Sequence, residues 1–289
     1  MFKTILVATD LSDASDRVVG CLAALHSLGV EEVTLLHCLG IRHLEEMQHL
    51  LAPVVQPRLN AQKSALEKQG FRVSVDLAAG LAKFEINRIA AERDLDLVVV
   101  GSHGHTMSGE LRLGGVASEV IHNARKPVLL VRLAMSTMKD QSRCEVVCPT
   151  LLDHILFPTD FSDNAEHAFS TAKELVASGA KHLTLLHVQD RTKLARHSAE
   201  QLTEFDRIDR ERLERMSSEL TSRGGNVDYE LTFGSPTSEI LARARKGDVS
   251  LIVMGSQGRG FISEVFLGSV SHQTARLAPV SVLLVPAIR

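Results

Sequence analysis

The chain has 289 residues, 44% of them hydrophobic and 23% charged, with a formal net charge of −3. Two domains of about 145 residues are the default for such a length, each large enough to bury its own core. The slight acidic excess argues against a nucleic-acid binder, which would carry a basic surplus, and no apolar run approaches the roughly 20 residues that span a bilayer. The first apolar run, Thr4 to Ala8, is too short for a helix and rich in β-formers, so it reads as a strand. It begins directly after Met1-Phe2-Lys3, so no signal peptide is expected and the cytoplasm is the expected location. Asp10 ends the strand, and Ser12 is placed to cap a helix reaching to about Leu28. Val33 to Cys38, the alternating Arg72 to Leu77, Asp96 to Gly101 and Pro127 to Val131 read as four further strands. Helix-like stretches separate them: Glu45 to Lys68, interrupted by Pro53 and Pro57, then Phe84 to Arg93 and Val116 to Ala124.

Leu133 to Leu152 has no periodicity and reads as a linker, after which the same order starts again. The first helix of this second series places Ala165, Ala168, Phe169, Ala172, Leu175 and Val176 on one face, the spacing of a core-facing stripe. The next, from about Ser198 to Ser222, is heavily charged; Leu202, Phe205, Ile208, Leu213, Met216 and Leu220 form its buried side, and the charges read as a solvated face.

The recurrence is literal. Ile5 to Asp13 (ILVATDLSD) returns 150 residues later as Ile155 to Asp163 (ILFPTDFSD), and Thr34-Leu35-Leu36-His37 returns as Thr184-Leu185-Leu186-His187. Leu97 to Gly104 (LVVVGSHG) returns as Leu251 to Gly258 (LIVMGSQG), now offset by 154. A repeat of this length is a whole domain rather than a solenoid unit. The expected organisation is a domain over 1–132, a linker over 133–152 and a second domain over 153–289. Apolar strands alternating with helices predict, for each copy, a five-stranded doubly wound α/β domain with a parallel sheet covered on both faces. Cys21, Cys38, Cys144 and Cys148 all fall before the second copy and form no repeated framework, so reduced thiols are expected.

In such sheets ligands sit beyond the carboxyl ends of the strands, at the switch in strand order. Two segments of each copy lie there. One is Thr9-Asp10 or Thr159-Asp160. The other is the loop after the fourth strand, which in copy two runs Gly255-x2-Gly258-x9-Gly268-Ser269 into a helix. Glycines let a backbone approach an anion and adopt positive φ, and helix N-terminal N–H groups supply donors for phosphate. Ser269 and Ser271 can add hydroxyls. The plain alternative is that these glycines only end a strand and cap a helix.

With these motifs the chain resembles the universal stress proteins in their tandem form. The Thr-Asp-x-Ser openings, the Leu-Leu-His strand ends, the glycine pattern and the final strands of the type Pro-Val-Leu-Leu-Val carry the resemblance. It implies two Rossmann-like domains, similar to the adenine nucleotide alpha hydrolases, and an adenine nucleotide (ATP, ADP or AMP, with Mg2+ as a companion) as ligand. It implies that Asp160 lies by the ribose and adenine, that Thr159 before it belongs to the nucleotide site, and that Val188 offers its backbone to the base. Gly255, Gly258, Gly268, Ser269, Val270 and Ser271 would surround the ribose and phosphates, with Arg259 beside a phosphate. The equivalent positions of copy one are Thr9, Asp10, Cys38, Gly101, Gly104, Gly114, Gly115 and Val116. There Gly115 replaces the serine and Ala117 stands where copy two has Ser271. Each lost hydrogen bond to a charged phosphate weakens binding by about 1.5–3 kcal/mol, or one to two decades. Copy one is thus a weak binder, a binder of something else, or a structural partner.

The resemblance further implies pairing through the final strands, Pro127 to Val131 and Val280 to Val285, whose apolar edges need covering. A linker of about 20 residues holds the copies at high effective concentration, so an intramolecular pseudo-dimer is expected, with a homodimer possible but not required. His103-Gly104-His105 differs in place and spacing from the nucleotidylyl-transferase signature, and neither it nor Cys144-x3-Cys148 has a second ligand pair beside it to make a zinc site. No nucleophile–base order is present, so at most slow hydrolysis is expected.

Overall fold

The structure, a computed structural model, describes residues 1–40, 45–102, 113–132, 134–137, 144–147, 150–190, 198–258 and 267–287. The chain divides into two compact units, Met1–Pro149 with Val265–Leu267, and Thr150–Glu264 with Gly268–Arg289.

Unit 1 contains β1 (Thr4–Thr9), α1 (Asp13–Gly20), a 3-10 turn (Leu22–Leu28), β2 (Glu32–Leu39), α2 (Glu45–Lys68), β3 (Arg72–Ala79), α3 (Ala82–Glu92), β4 (Leu97–Gly101), α4 (Gly115–His122) and β5 (Val128–Val131). Its strands are all parallel, in the order β3-β2-β1-β4-β5. Between β5 and the second unit, β6 (Ala134–Thr137) and β7 (Cys144–Val147) pair antiparallel. The stretch read as an aperiodic linker thus holds a short ladder, whose four-residue strands are too brief to show alternation.

Unit 2 repeats the plan with β8 (Ile155–Thr159), α5 (Asp163–Ala177), β9 (Leu183–Asp190), α6 (Ala199–Thr221), β10 (Val227–Gly234), α7 (Pro236–Ala244), β11 (Leu251–Gly255), α8 (Ser269–Leu277) and β12 (Ser281–Val285). Its parallel order is β10-β9-β8-β11-β12. Every residue of β8, β11 and β12 is buried, as expected of strands packed on both faces. Helix α5 packs on β8, β11 and β12, α6 on β9 and β10, and α7 pairs with α8. The stripe of α5 is fully buried, and Phe169 meets Phe157 with ring centroids 5.7 Å apart. Burying such a side chain stabilises by about 1.5–3 kcal/mol.

Three local expectations need correction. The helix expected to reach Leu28 ends at Gly20, and the chain tightens into the 3-10 turn; glycine is a poor interior helix residue. Helix α2 runs through Pro53 and Pro57 without a break. Both prolines are on the exposed side, where water can satisfy the carbonyls they leave unpaired. Finally, Cys21 is disulfide-bonded, whereas Cys38 is free. All four cysteines precede the second copy, so a bridge among them leaves no repeated spacing to read.

Candidate functional site

Strand order in unit 2 reverses between β8 and β11, and the candidate site is built from the segments at the carboxyl ends of those two strands. After β8 the backbone N–H of Phe161 donates to Thr159 Oγ1 (3.0 Å), while Asp160 Oδ1 accepts from the N–H (3.1 Å) and hydroxyl (2.6 Å) of Ser162. Ser162 in turn caps α5 by accepting from the Ala165 N–H (3.2 Å). This double turn forces Phe161 to φ +57°, a left-handed conformation that costs a side-chain-bearing residue about 1–2 kcal/mol. Unit 1 builds the same turn: Leu11 has φ +60°, its N–H donates to Thr9 Oγ1, and Asp10 Oδ1 accepts from Ser12.

The turn fixes the Asp160 carboxylate against the glycine loop. A Cβ placed on Gly258 would stand 2.6 Å from Asp160 Oδ2, and one on Gly255 would stand 3.0 Å from the Asn164 carbonyl oxygen. None of Gly255, Gly258 and Gly268 has positive φ. These glycines serve close approach, not the left-handed backbone expected from the sequence. The Gly268 N–H donates to the Ser256 carbonyl at 2.8 Å, which draws the start of α8 to the end of β11. Gly268 precedes α8 without any side-chain cap, so the first-turn amides of Ser269, Val270 and Ser271 point out of the helix with the macrodipole behind them. Ser269 is exposed, whereas the buried Ser271 hydroxyl donates to the Gly255 carbonyl at 2.8 Å. Ser271 is therefore a tie between strand and helix and not the free hydroxyl donor expected.

These pieces line a cavity of about 620 Å3, within the usual range for small-molecule sites. Thr159, Asp160, Val188, Gly255, Gly258, Gly268, Ser269, Val270 and Ser271 are all on its wall. Arg259 lies outside the described residues. On the β9 side, Phe205 and Ile208 of α6 form an apolar slot beside Val188, and Pro236 and Ile240 of α7 add to the apolar lining. The slot's first two residues were expected in the core, but only Leu213, Met216 and Leu220 of that α6 face are buried there. The N-terminal half of α6 overhangs the cavity instead.

Gln189, Asp209 and Arg212 also line this end, and no sequence motif marked them. The His187 Nδ1–H donates to the Thr159 carbonyl (2.7 Å), and its Nε2 stands 3.4 Å from Asp209 Oδ2. Gln189 Nε2 donates to the same Oδ2 at 2.9 Å. Burial is the largest single influence on the Asp209 carboxyl and pushes it up. Hydrogen bonds from His187 and Gln189, with the charges of His187 and Arg212, outweigh it and hold the group below the ordinary carboxylate range. Arg212 lies 5.3 Å above the Phe161 ring.

In unit 1, Thr9 ends β1 and Asp10 follows it, Gly101 ends β4, and Gly114 precedes α4, which opens Gly115-Val116. Gly104 lies outside the described residues. The Gly114 N–H reaches the Ser102 carbonyl at 3.0 Å, as in unit 2, but the tie of Ser271 has no counterpart at Ala117. Matching the fully buried Leu59 and Leu66 of α2 to Leu213 and Leu220 of α6 puts Val55 where unit 2 has Asp209. Arg58, the counterpart of Arg212, instead meets Asp13 and Asp16 at the surface. Cys38 is half-buried in β2; burial first, then the Glu85 charge, push its thiol up to about 11 against the opposing Arg88, so it is no nucleophile at neutral pH. Among the described residues, no group of three or more His, Cys, Asp or Glu is arranged to hold a metal, and no helix is long and apolar enough to cross a membrane.

Comparison with known proteins gives a consistent result. Universal stress protein MJ0577 of Methanocaldococcus jannaschii is 30% identical over 155 residues, covering 46% of this chain and 96% of that protein. A universal stress protein of Mycolicibacterium smegmatis is 26% identical over 299 residues, covering 97% of this chain and 96% of that one. The crystal structure of a universal stress protein from Archaeoglobus fulgidus shares the fold, with a TM-score of 0.75 over 98% of both chains at 24% identity. The model of the universal stress protein family matches residues 1–132 and again 152–286. The chain belongs to the universal stress protein family, whose model it matches twice.

Proposed function

We propose that unit 2 binds an adenine nucleotide and that this ligand state regulates the protein's interactions. The observation that carries the reading is the cavity itself: one wall holds apolar side chains and an uncapped helix N-terminus that glycines allow a ligand to approach. The slot takes the base, and the amides of Ser269, Val270 and Ser271 with the Ser269 hydroxyl take the phosphates. Asp160 lies between, where it can accept from the ribose. A Mg2+ ion, if it accompanies the nucleotide, would neutralise phosphate charge, and Asp160 is the carboxylate that would share it. The sequence offers no nucleophile–base order beside Asp160, so turnover is slow or nil.

For unit 1 a second reading has its own support. Helix α4 has Gly115 and Ala117 where α8 has Ser269 and Ser271, and Val55 stands where unit 2 has Asp209, so unit 1 acts as a structural or interaction partner. Nucleotide released on denaturing the purified protein tests both readings. One equivalent of adenine nucleotide per chain is expected. Two equivalents would restore unit 1 as a binder. None, together with no ATP uptake in calorimetry, would leave an interaction scaffold.

A further inference from the structure

β10 is the outer strand of the unit 2 sheet, and it carries two exposed large apolar side chains, Tyr229 and Phe233. One bond fixes the direction of its backbone groups: the Leu183 N–H of β9 donates to the Asn226 carbonyl at 3.0 Å. Backbone groups alternate sides along a strand, so the even-numbered residues of β10 face β9. The N–H and C=O groups of Val227, Tyr229, Leu231 and Phe233 therefore point outward, where no other strand among the described residues meets them. Such an edge is a template for a further strand, and sheets usually guard it with charge. β3, the matching edge of unit 1, is guarded in this way. Arg72 pairs with Glu31 and Glu32, Arg93 pairs with Asp76, and no large apolar side chain of β3 is exposed. On β10 the two carboxylates are already engaged, Asp228 with His182 at 3.0 Å and Glu230 with Arg243 at 2.9 Å. Tyr229 and Phe233 share the other face, where the Tyr229 hydroxyl donates to Glu214 of α6.

We propose that β10 pairs antiparallel with β10 of a second copy of this chain, about a twofold axis at Leu231. That axis sets outward-facing residues opposite one another: Leu231 meets its own copy, and Tyr229 of each chain lies opposite Phe233 of the other. Two aromatic cross-strand pairs result. Asp228 and Glu230 fall opposite Gly234 and Thr232, clear of any carboxylate. An axis at Glu230 or Tyr229 would set carboxylate against carboxylate, and one at Thr232 or Phe233 would leave Tyr229 without an aromatic opposite it. The strand is thus self-complementary in one register, which favours a second copy over an unrelated strand. An edge pair of eight-residue strands buries less than the roughly 1,200 Å2 of a standard interface, so the dimer is reversible.

Sedimentation velocity on the full chain tests the register. Wild type should pass from monomer to dimer over roughly 10–200 μM. Tyr229→Lys and Phe233→Glu each remove both aromatic pairs and should weaken the dimer about tenfold. The two side chains are 36% and 41% exposed, so the fold and Tm of the monomer should be kept. An equimolar mixture of the variants regains one aromatic pair and opposes the new ammonium to the new carboxylate. It should associate to within about threefold of wild type. A wild type that stays monomeric over this range overturns the proposal and leaves the edge to a different strand. A dimer that both variants leave intact, or one lost in each without recovery in the mixture, also overturns it.

Discussion

Gly258→Val should lower ATP affinity by about two decades while leaving the fold of unit 2 unchanged. The added side chain starts 2.6 Å from Asp160 Oδ2, so it must displace either the carboxylate or the loop backbone. Asp160 cannot retreat, because its other oxygen accepts two hydrogen bonds from Ser162 and Ser162 caps α5. The loop moves instead, and with it the approach to the amides of α8. Isothermal calorimetry reads the loss, and an unchanged circular dichroism spectrum with near wild-type Tm separates it from unfolding. Ser269→Ala is the milder companion: it removes the exposed hydroxyl and keeps the three amides, so about one decade is expected. Wild-type affinity in both variants would show that the ligand does not sit at the glycine end.

Much of this was legible in the sequence because it depends on short-range chemistry. Ser12 caps its helix as its position announces; Ser162 and Ser198 do the same for theirs, the last in a full capping box with Gln201. The glycine spacing after β11 also led to one wall of a real cavity. Yet the same letters misled on physical detail. Ser271 looked like a ligand donor because its residue type is right, but the fold puts its proton on the Gly255 carbonyl. The apolar face of α6 looked like one continuous core stripe, since periodicity cannot distinguish a core from the roof of a slot. Asp209 and Arg212 were lost among the charges of that helix. Their place depends on which turn of α6 passes over the end of β9, a tertiary fact without a local signature. His187 was the available clue, because a recurring histidine at a strand end needs partners for both ring nitrogens.

Arg243→Met should destabilise unit 2 by about 2–3 kcal/mol, lowering its Tm by roughly 6–10 °C. The guanidinium, 8% exposed, donates to Glu230 at 2.9 Å and through two nitrogens to Asp248 at 2.7 and 3.0 Å. Removing it leaves two carboxylates without their shared cation. Loss from a fully buried network would reach about 3–5 kcal/mol, but Asp248 is half exposed, so water recovers part of it. The pH dependence separates this account from simple loss of packing. The Arg243 hydrogen bonds are the main reason that the Asp248 carboxyl falls from 3.8 to about 2. A carboxyl depressed in the folded state stabilises above its unfolded value, and that contribution disappears as pH drops from 3.8 toward 2. His154 acts earlier on the same axis. Its neutral ring is already satisfied, with Nδ1–H facing Asp248 at 3.2 Å and Nε2 accepting from the Thr184 hydroxyl at 2.8 Å. Burial first, then the His182 ring stacked 4.1 Å away, hold its pKa below 6.5. A depressed histidine favours the folded state above 6.5 and loses that advantage as pH falls below it. Wild type should therefore lose stability in two steps on acidification, one beginning near pH 6.5 and one between pH 3.8 and 2. In Arg243→Met the folded-state Asp248 carboxyl returns toward 3.8, so the lower step should shrink. A variant that is less stable by the same amount at every pH would assign the role of Arg243 to packing alone.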